Sequence, residues 1–259
     1  MRLLQKTVGA VAALALSAAL LVGCGSAAST AASTASSAAT STSAAASESA
    51  SSAAETDADA AAAAKLLNDL TGSYQELWPV ILADENQQTW LDDCTALVGE
   101  DNAAAAFEKL SSMVTGEVYG EDAVKAYANG GGAYYCGFTN GLVTLTFDGA
   151  SSTISGTDKD GNALFSHTYH YIGMEPVRGL YEFESDDADS GEFTYFFLAP
   201  DTSAETYHIE FRYGSDADAL GQYDAGDYAY WLASGIATDC DQTMIDNCIQ
   251  LFCTENLAG

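Results

Sequence analysis

The spacing of hydrophobic residues changes once along the chain. Up to Met113 they recur every three or four positions, which predicts helices at residues 66–78, 90–97 and 103–113. From Ala133 onward the period becomes two, which predicts β-strands. These strands lie at residues 134–138, 142–147, 163–171, 179–184, 193–198 and 207–213. Residues 241–257 return to a helical pattern. The order predicts an α+β domain or a small antiparallel barrel with flanking helices.

Glycine and proline mark the breaks between these elements. Gly72 interrupts the first helical pattern and Pro79 closes it. The segments 139–141, 148–149 and 160–162 are typical hairpin turns between strands. Asp158 and the residues after it resemble part of a calcium loop, but the closing glutamate is missing, and a hairpin turn is the interpretation we adopt.

The first 60 residues are predicted to be an export signal followed by a disordered tether. Residues 1–23 carry Arg2, Lys6 and a short apolar run, which together indicate a secretory signal peptide. The ending at Cys24 resembles a bacterial lipoprotein signal, so Cys24 is the expected lipidation site. Residues 24–60 are rich in Ala, Ser and Thr and predict a disordered tether. Residues 61–259 then form the folded domain, outside the cytoplasm and anchored to the cell membrane.

Charge excludes some partners. Without Arg2 and Lys6, the chain from Cys24 has six Lys and Arg against 37 Asp and Glu, a formal net charge of −31. Such a surface repels nucleic acid and anionic lipid, so the lipid anchor is the expected membrane contact. Five cysteines follow Cys24, at positions 94, 136, 240, 248 and 253. At most two disulfides can form among them, and their pairing stays open.

One strand carries candidate chemistry. In TYHIEFRYG, residues 206–214, His208 and Glu210 share one face and Ile209 and Phe211 the other. His208 is one of three histidines in the chain, so it is the first candidate metal ligand. The alternative is a strand whose polar face simply meets water.

Several motifs, taken in order, resemble the ZinT domain that also ends AdcA-type zinc-uptake lipoproteins. They are LNDLTGSYQELWPVIL at 67–82, CGFTNGLV at 136–143, YHYIG at 169–173, RGLYEFE at 178–184, TYHIEFRYG at 206–214 and YAYWL at 228–232. The resemblance implies a calycin- or lipocalin-like antiparallel β-barrel with N-terminal helices and a C-terminal helix. It also implies binding of zinc, or another divalent metal, for acquisition or storage, with a metal ABC transporter as partner.

The chain departs from that family at the metal site. The family's three zinc-binding histidines correspond here to Phe196, Thr206 and His208, so one of the three is kept. Zinc needs three or four ligands. Other donors would have to come from nearby, and the candidates are Glu210, Glu205, His167 and His170.

Two other functions remain open. A barrel without metal could bind an apolar small molecule or a cell-surface partner through aromatic residues such as Tyr169, Tyr171 and Tyr228. A spacer of the envelope without a ligand is a third hypothesis. No nucleophile elbow, phosphate loop or Cys/His catalytic pattern occurs in the sequence, so we expect no enzymatic activity.

Overall fold

A computed structural model describes residues 58–200 and 208–258. The predicted signal peptide, Cys24 and the tether up to residue 57 lie outside this range, whereas residues 58–60 are already helical. The helices are α1 (58–69), α2 (Leu77–Ile81), α3 (Gln87–Val98), α4 (Glu100–Met113), α5 (Glu121–Ala128), α6 (Ala217–Leu220) and α7 (Gln242–Leu257). Within the described ranges, no helix combines the length and apolar character needed to cross a bilayer.

The strands form one closed antiparallel barrel. In the described part of the chain they are β1 (Gly72–Glu76), β2 (Thr144–Asp148), β3 (Thr153–Thr157), β4 (Ala163–Met174), β5 (Tyr181–Ser185), β6 (Tyr195–Leu198), β7 (His208–Gly214) and β8 (Ala233–Ala237). Each strand pairs with its neighbour in chain order, and β1 pairs with β8 to close the ring. This confirms the predicted calycin-like barrel with helices at both ends.

The helix predicted at residues 66–78 is wrong over its second half. Gly72 has φ +149°, outside the helical region, and the chain continues as strand β1. Backbone pairing explains the change, because Tyr74 lies between Leu145 of β2 and Ala237 of β8 and belongs to two ladders. Pro79 does not end the helical pattern but lies in the first turn of α2. The N–H groups of a first turn have no partner within the helix, so the missing N–H of proline costs no helical hydrogen bond there.

The strand predicted at residues 134–138 is also wrong. Tyr135 makes only isolated bridges to Thr115 and Trp231, and its neighbours run as loop. The other five predicted strands are confirmed within a few residues, as are the helices at 90–97, 103–113 and 241–257. Strands β1, β3 and β8 and helices α5 and α6 were not predicted. The segment 158–162 is the turn between β3 and β4, where the Asp158 carboxylate accepts from the backbone N–H groups of Asp160 and Asn162.

Two separate apolar clusters lie on the two sides of the barrel wall. The lumen cluster fills the inside and includes Phe165, Tyr169, Phe183, Phe196, Phe211, Tyr213 and Trp231. Leu66, Leu67 and Leu70 of α1 belong to it as well, so α1 packs against the barrel interior. The helix-side cluster lies outside the barrel, between the helices and strand β8, and includes Trp78, Ile81, Trp90, Cys94, Ile236, Ile249 and Cys253. The wall formed by β7 and β8 separates the two.

Candidate metal site

Strand β7 sends alternate side chains to the two sides of the wall. Ile209 and Phe211 belong to the lumen cluster and are almost completely buried. His208 lies opposite Ile236 of β8, a member of the helix-side cluster, and directly opposed residues share a face. His208 and Glu210 therefore point outward, toward the helices, and the prediction that they share a face is correct.

The two side chains line a small cavity between β7, α2 and α7. The cavity volume is about 30 Å³, which is room for one water molecule or a metal ion but not for an organic ligand. Its residues are Leu77, Trp78, Ile81, His208, Glu210, Cys248, Leu251, Phe252 and Glu255. We call it the His208 pocket. Its walls are mostly apolar, which weakens the screening of any charge held inside.

Four residues of the His208 pocket are of the types that bind transition metals. His208 and Glu210 come from β7, and Cys248 and Glu255 come from α7. Each of these four side chains already has an interaction partner. Among residues 58–200 and 208–258, no three His, Cys, Asp or Glu side chains are grouped so as to hold a metal ion. Metal binding here would therefore require side chains to move together.

Burial keeps the nearby thiols protonated. Burial raises the pKa of Cys248 to about 12, and Cys240 adds to the shift. The pKa of Cys136 is likewise raised to about 12. Burial is the larger cause, and the negative charge of Glu210 is the second. Because the thiolate is the metal-binding form, an ion bound by either cysteine would have to displace the thiol proton.

The other predicted histidines lie elsewhere on the barrel. His167 is half-buried on β4, beside the Phe165 ring, with its Nδ1 2.8 Å from Asp187 Oδ2. His170 is exposed, with its Nδ1 2.8 Å from Asp186 Oδ1. Strands β5 and β6 separate β4 from β7, so on the order of 14 Å of wall lies between them. The donor atoms of two ligands of one zinc ion lie within roughly 4 Å of each other. The structure does not bring His167 or His170 to His208.

The remaining predicted positions divide between the lumen and the undescribed segment. Phe196 is completely buried in the lumen cluster, with its ring 5.3 Å from that of Tyr213, so it and His208 lie on opposite sides of the wall. Glu205 and Thr206 fall outside the described residues.

Cys248 and Glu255 were missed by the sequence analysis, although the sequence carries a signal for them. Residues 248, 251, 252 and 255 of α7 follow the spacing i, i+3, i+4, i+7, which places them on one helix face. Two metal-binding residue types on an otherwise apolar stripe are unusual enough to be noticed. What the pattern lacks is any sign that this face would pack against β7.

The chain was compared with known proteins. No protein-family profile matches it, and no curated protein matches it. Among solved structures, it matches the Zn(II)-bound ZinT-like domain of Streptococcus pneumoniae AdcA with 15% identity and a TM-score of 0.45, over 72% of this chain and 89% of that chain. The chain is similar to a ZinT-like domain.

A second match is to Zn(II)-bound AdcA from Streptococcus pneumoniae, with 14% identity and a TM-score of 0.42, over 72% of this chain and 35% of AdcA. Both matches are to the family that the sequence motifs resemble. At these identities and TM-scores, neither protein's ligand is transferred to this chain.

Proposed function

We propose that the protein binds a divalent metal, zinc foremost, in the His208 pocket. His208 and Glu210 supply ligands from β7, and Glu255 supplies a third from α7. The observation that supports this is the meeting of these donors around a space of ion size. Imidazole and carboxylate are ligands that zinc accepts in proteins. Apolar walls would strengthen the attraction between the ion and the carboxylates.

The site we propose is assembled by the metal. The donors come from two elements that are distant in sequence, and they must move together to share one ion. This rearrangement reduces the affinity below that of a preformed three-ligand site. We therefore propose a protein that takes up and releases zinc readily, as acquisition or storage requires, and that performs no catalysis.

The setting of this function follows from the sequence. We propose that Cys24 carries a lipid anchor and that the tether holds the domain outside the cytoplasm at the membrane. The acidic surface attracts cations diffusely and would concentrate them near the pocket. A metal ABC transporter is the partner we propose for the release of the ion.

The hypothesis of an apolar ligand inside the barrel gains no support. The rings of Phe196, Phe211, Tyr213 and Trp231 fill the lumen, and each is completely buried. Side chains packed in this way leave no space for a guest unless the core is rearranged. The His208 pocket is likewise too small for such a molecule.

The test is a calorimetric titration of zinc into metal-free, tag-free protein from residue 25 onward, at physiological salt. We expect one ion per chain, loss of binding in His208→Ala, and weaker binding in Glu210→Gln. His170→Ala is the matched control, because it removes an imidazole that lies beside a carboxylate but outside the pocket. The control should bind zinc as the parent does.

Two results would contradict the proposal. One is a parent protein that does not bind zinc. The other is equal loss of binding in His208→Ala and His170→Ala, which would indicate diffuse attraction to the acidic surface. Far-ultraviolet circular dichroism of each variant shows whether the fold is kept, so that loss of a ligand is distinguished from unfolding.

A further inference from the structure

Two cysteine side chains face each other between α3 and α7. Cys94 of α3 and Cys253 of α7 are both completely buried, and their Sγ atoms lie 3.9 Å apart. The two residues are 159 positions apart in the sequence. Both are present as thiols. Neither has a role in the function proposed above.

The packing around the two thiols fixes their relative position. Trp90, one turn before Cys94, packs edge-on against Phe252 with ring centroids 6.0 Å apart. The Trp90 indole also donates a hydrogen bond to the Ile81 carbonyl, 2.7 Å away. The contact between Trp90 and Phe252 therefore holds α3 and α7 together beside the sulfur pair. The sulfurs would have to approach from 3.9 Å to the bonding distance of about 2.05 Å.

We propose that Cys94 and Cys253 form a disulfide bond when the chain folds in an oxidising environment. The step is an exchange with a disulfide-containing oxidant, either a low-molecular-weight disulfide or a dithiol oxidoreductase. One cysteine thiolate attacks the oxidant and releases one of its sulfurs as a thiol. The second cysteine thiolate then displaces the other sulfur. The two cysteines lose two protons and two electrons, and the oxidant's disulfide is reduced to two thiols.

The exchange belongs to folding and not to the finished protein. In the folded chain, burial raises the pKa of both Cys94 and Cys253, so thiolates are scarce and no oxidant can reach them. Oxidation must therefore occur before α7 packs completely. Once formed, the bond is sealed under the same helices and resists reduction until the protein unfolds.

The bond would also act on the fold as a whole. The two cysteines are 159 positions apart, and long loops are the case in which a cross-link restricts the unfolded state most. The bond joins the last helix to α3, which lies between β1 and β2 in the chain. Because α7 also forms one wall of the His208 pocket, the bond would hold that wall in place whether or not metal binds.

The test begins with peptide mapping of the full chain, exported by its host and purified without reductant. Free thiols are alkylated after denaturation, and the protein is then cleaved. No Lys or Arg follows Arg212, so trypsin alone leaves Cys240, Cys248 and Cys253 on one peptide. Additional cleavage after Leu251 or Phe252 separates Cys253 from the other two. We expect one linked peptide that joins Cys94 to Cys253, with Cys136, Cys240 and Cys248 alkylated.

Thermal unfolding supplies a second measurement. Parent protein that is unfolded, reduced with a phosphine and refolded in its presence should melt on the order of 10 °C below the oxidised parent. Cys94→Ala should melt at a lower temperature than the oxidised parent and should not respond to the reductant. Cys240→Ala is the matched control and should respond as the parent does. The proposal is overturned if both Cys94 and Cys253 are alkylated in the parent, or if a link joins any other pair. Peptide mapping gives this result on the parent alone, so it does not depend on the folding of a variant. These measurements use no metal, so they are independent of the function proposed for the His208 pocket.

Discussion

Tyr213→Phe should destabilise the protein more than the loss of one hydroxyl ordinarily does. Tyr213 is completely buried in the lumen cluster, and its hydroxyl satisfies three groups of Thr139. It accepts from the Thr139 backbone N–H at 2.6 Å and from Thr139 Oγ1 at 3.1 Å, and it donates to the Thr139 carbonyl at 2.9 Å. Thr139 is itself buried and precedes Asn140 and Gly141, both at positive φ, in the turn that leads toward β2.

The magnitude follows from the groups left without partners. A buried polar group that loses its hydrogen bond costs about 1–3 kcal/mol. Tyr213→Phe leaves the Thr139 N–H in this state. The Thr139 carbonyl keeps the hydrogen bond that the Leu142 N–H donates at 3.0 Å, and the Thr139 hydroxyl can rotate toward another acceptor. We expect the free energy of unfolding to fall by about 2 kcal/mol.

Tyr169→Phe is the matched control. Tyr169 is also buried in the lumen cluster, but its hydroxyl makes one hydrogen bond, to the Phe193 carbonyl. Its loss should cost about 1 kcal/mol, so the two variants should differ by about 1 kcal/mol, or about 5-fold in the unfolding equilibrium. Urea unfolding followed by far-ultraviolet circular dichroism measures both values. The reasoning is refuted if Tyr213→Phe costs no more than Tyr169→Phe.

Two other predictions concern the metal site and pH. Phe196→His, which places a histidine at a position equivalent to a zinc ligand of the ZinT family, should not strengthen zinc binding, because residue 196 faces the lumen. Because the substitution buries an imidazole among aromatic rings, it should lower the free energy of unfolding by about 2–4 kcal/mol. Tighter zinc binding in calorimetry would show that residue 196 does not face the lumen. Burial, with a contribution from Asp239, raises the pKa of Tyr74 from 10.0 to about 12. Folding therefore favours its protonated form, and this stability is present below pH 10 and lost as the pH rises to 12. Ultraviolet titration should detect its tyrosinate only above pH 10, and its ionisation near 10 in a folded protein would be the contrary result.

The sequence predicted β7, whose two faces differ, and missed β8, whose two faces are alike. Residues 207–213 alternate between large apolar and polar side chains, and β7 lies there. Strand β8, with the sequence ASGIA, has small residues on both faces and is buried on both, so it has no alternation to detect. Strand β1 carries a helical spacing of apolar residues, and its extended form depends on two ladders with strands far away in the chain.

The candidate site was predictable only in part, for a similar reason. The shared face of His208 and Glu210 follows from the period of a strand, which is local information. Which side of the barrel that face meets depends on the packing of α7 against the wall, which is a tertiary contact. The spacing of residues therefore predicted the β7 half of the pocket. For the other half the candidates included His167 and His170 of β4, whereas the structure places Cys248 and Glu255 of α7 in the pocket.

The pairing of β1 with β8 has a consequence for the order in which the molecule folds. β1 is the first strand of the described chain and β8 the last, so the ring cannot close until nearly all of the chain is available. Until then, β1 and β7 each keep an unpaired edge, and such edges promote association between chains. Contacts between distant parts of a sequence also slow folding. Ring closure is thus the expected slow step, and a chain truncated before Ala233 should accumulate as an aggregation-prone open sheet.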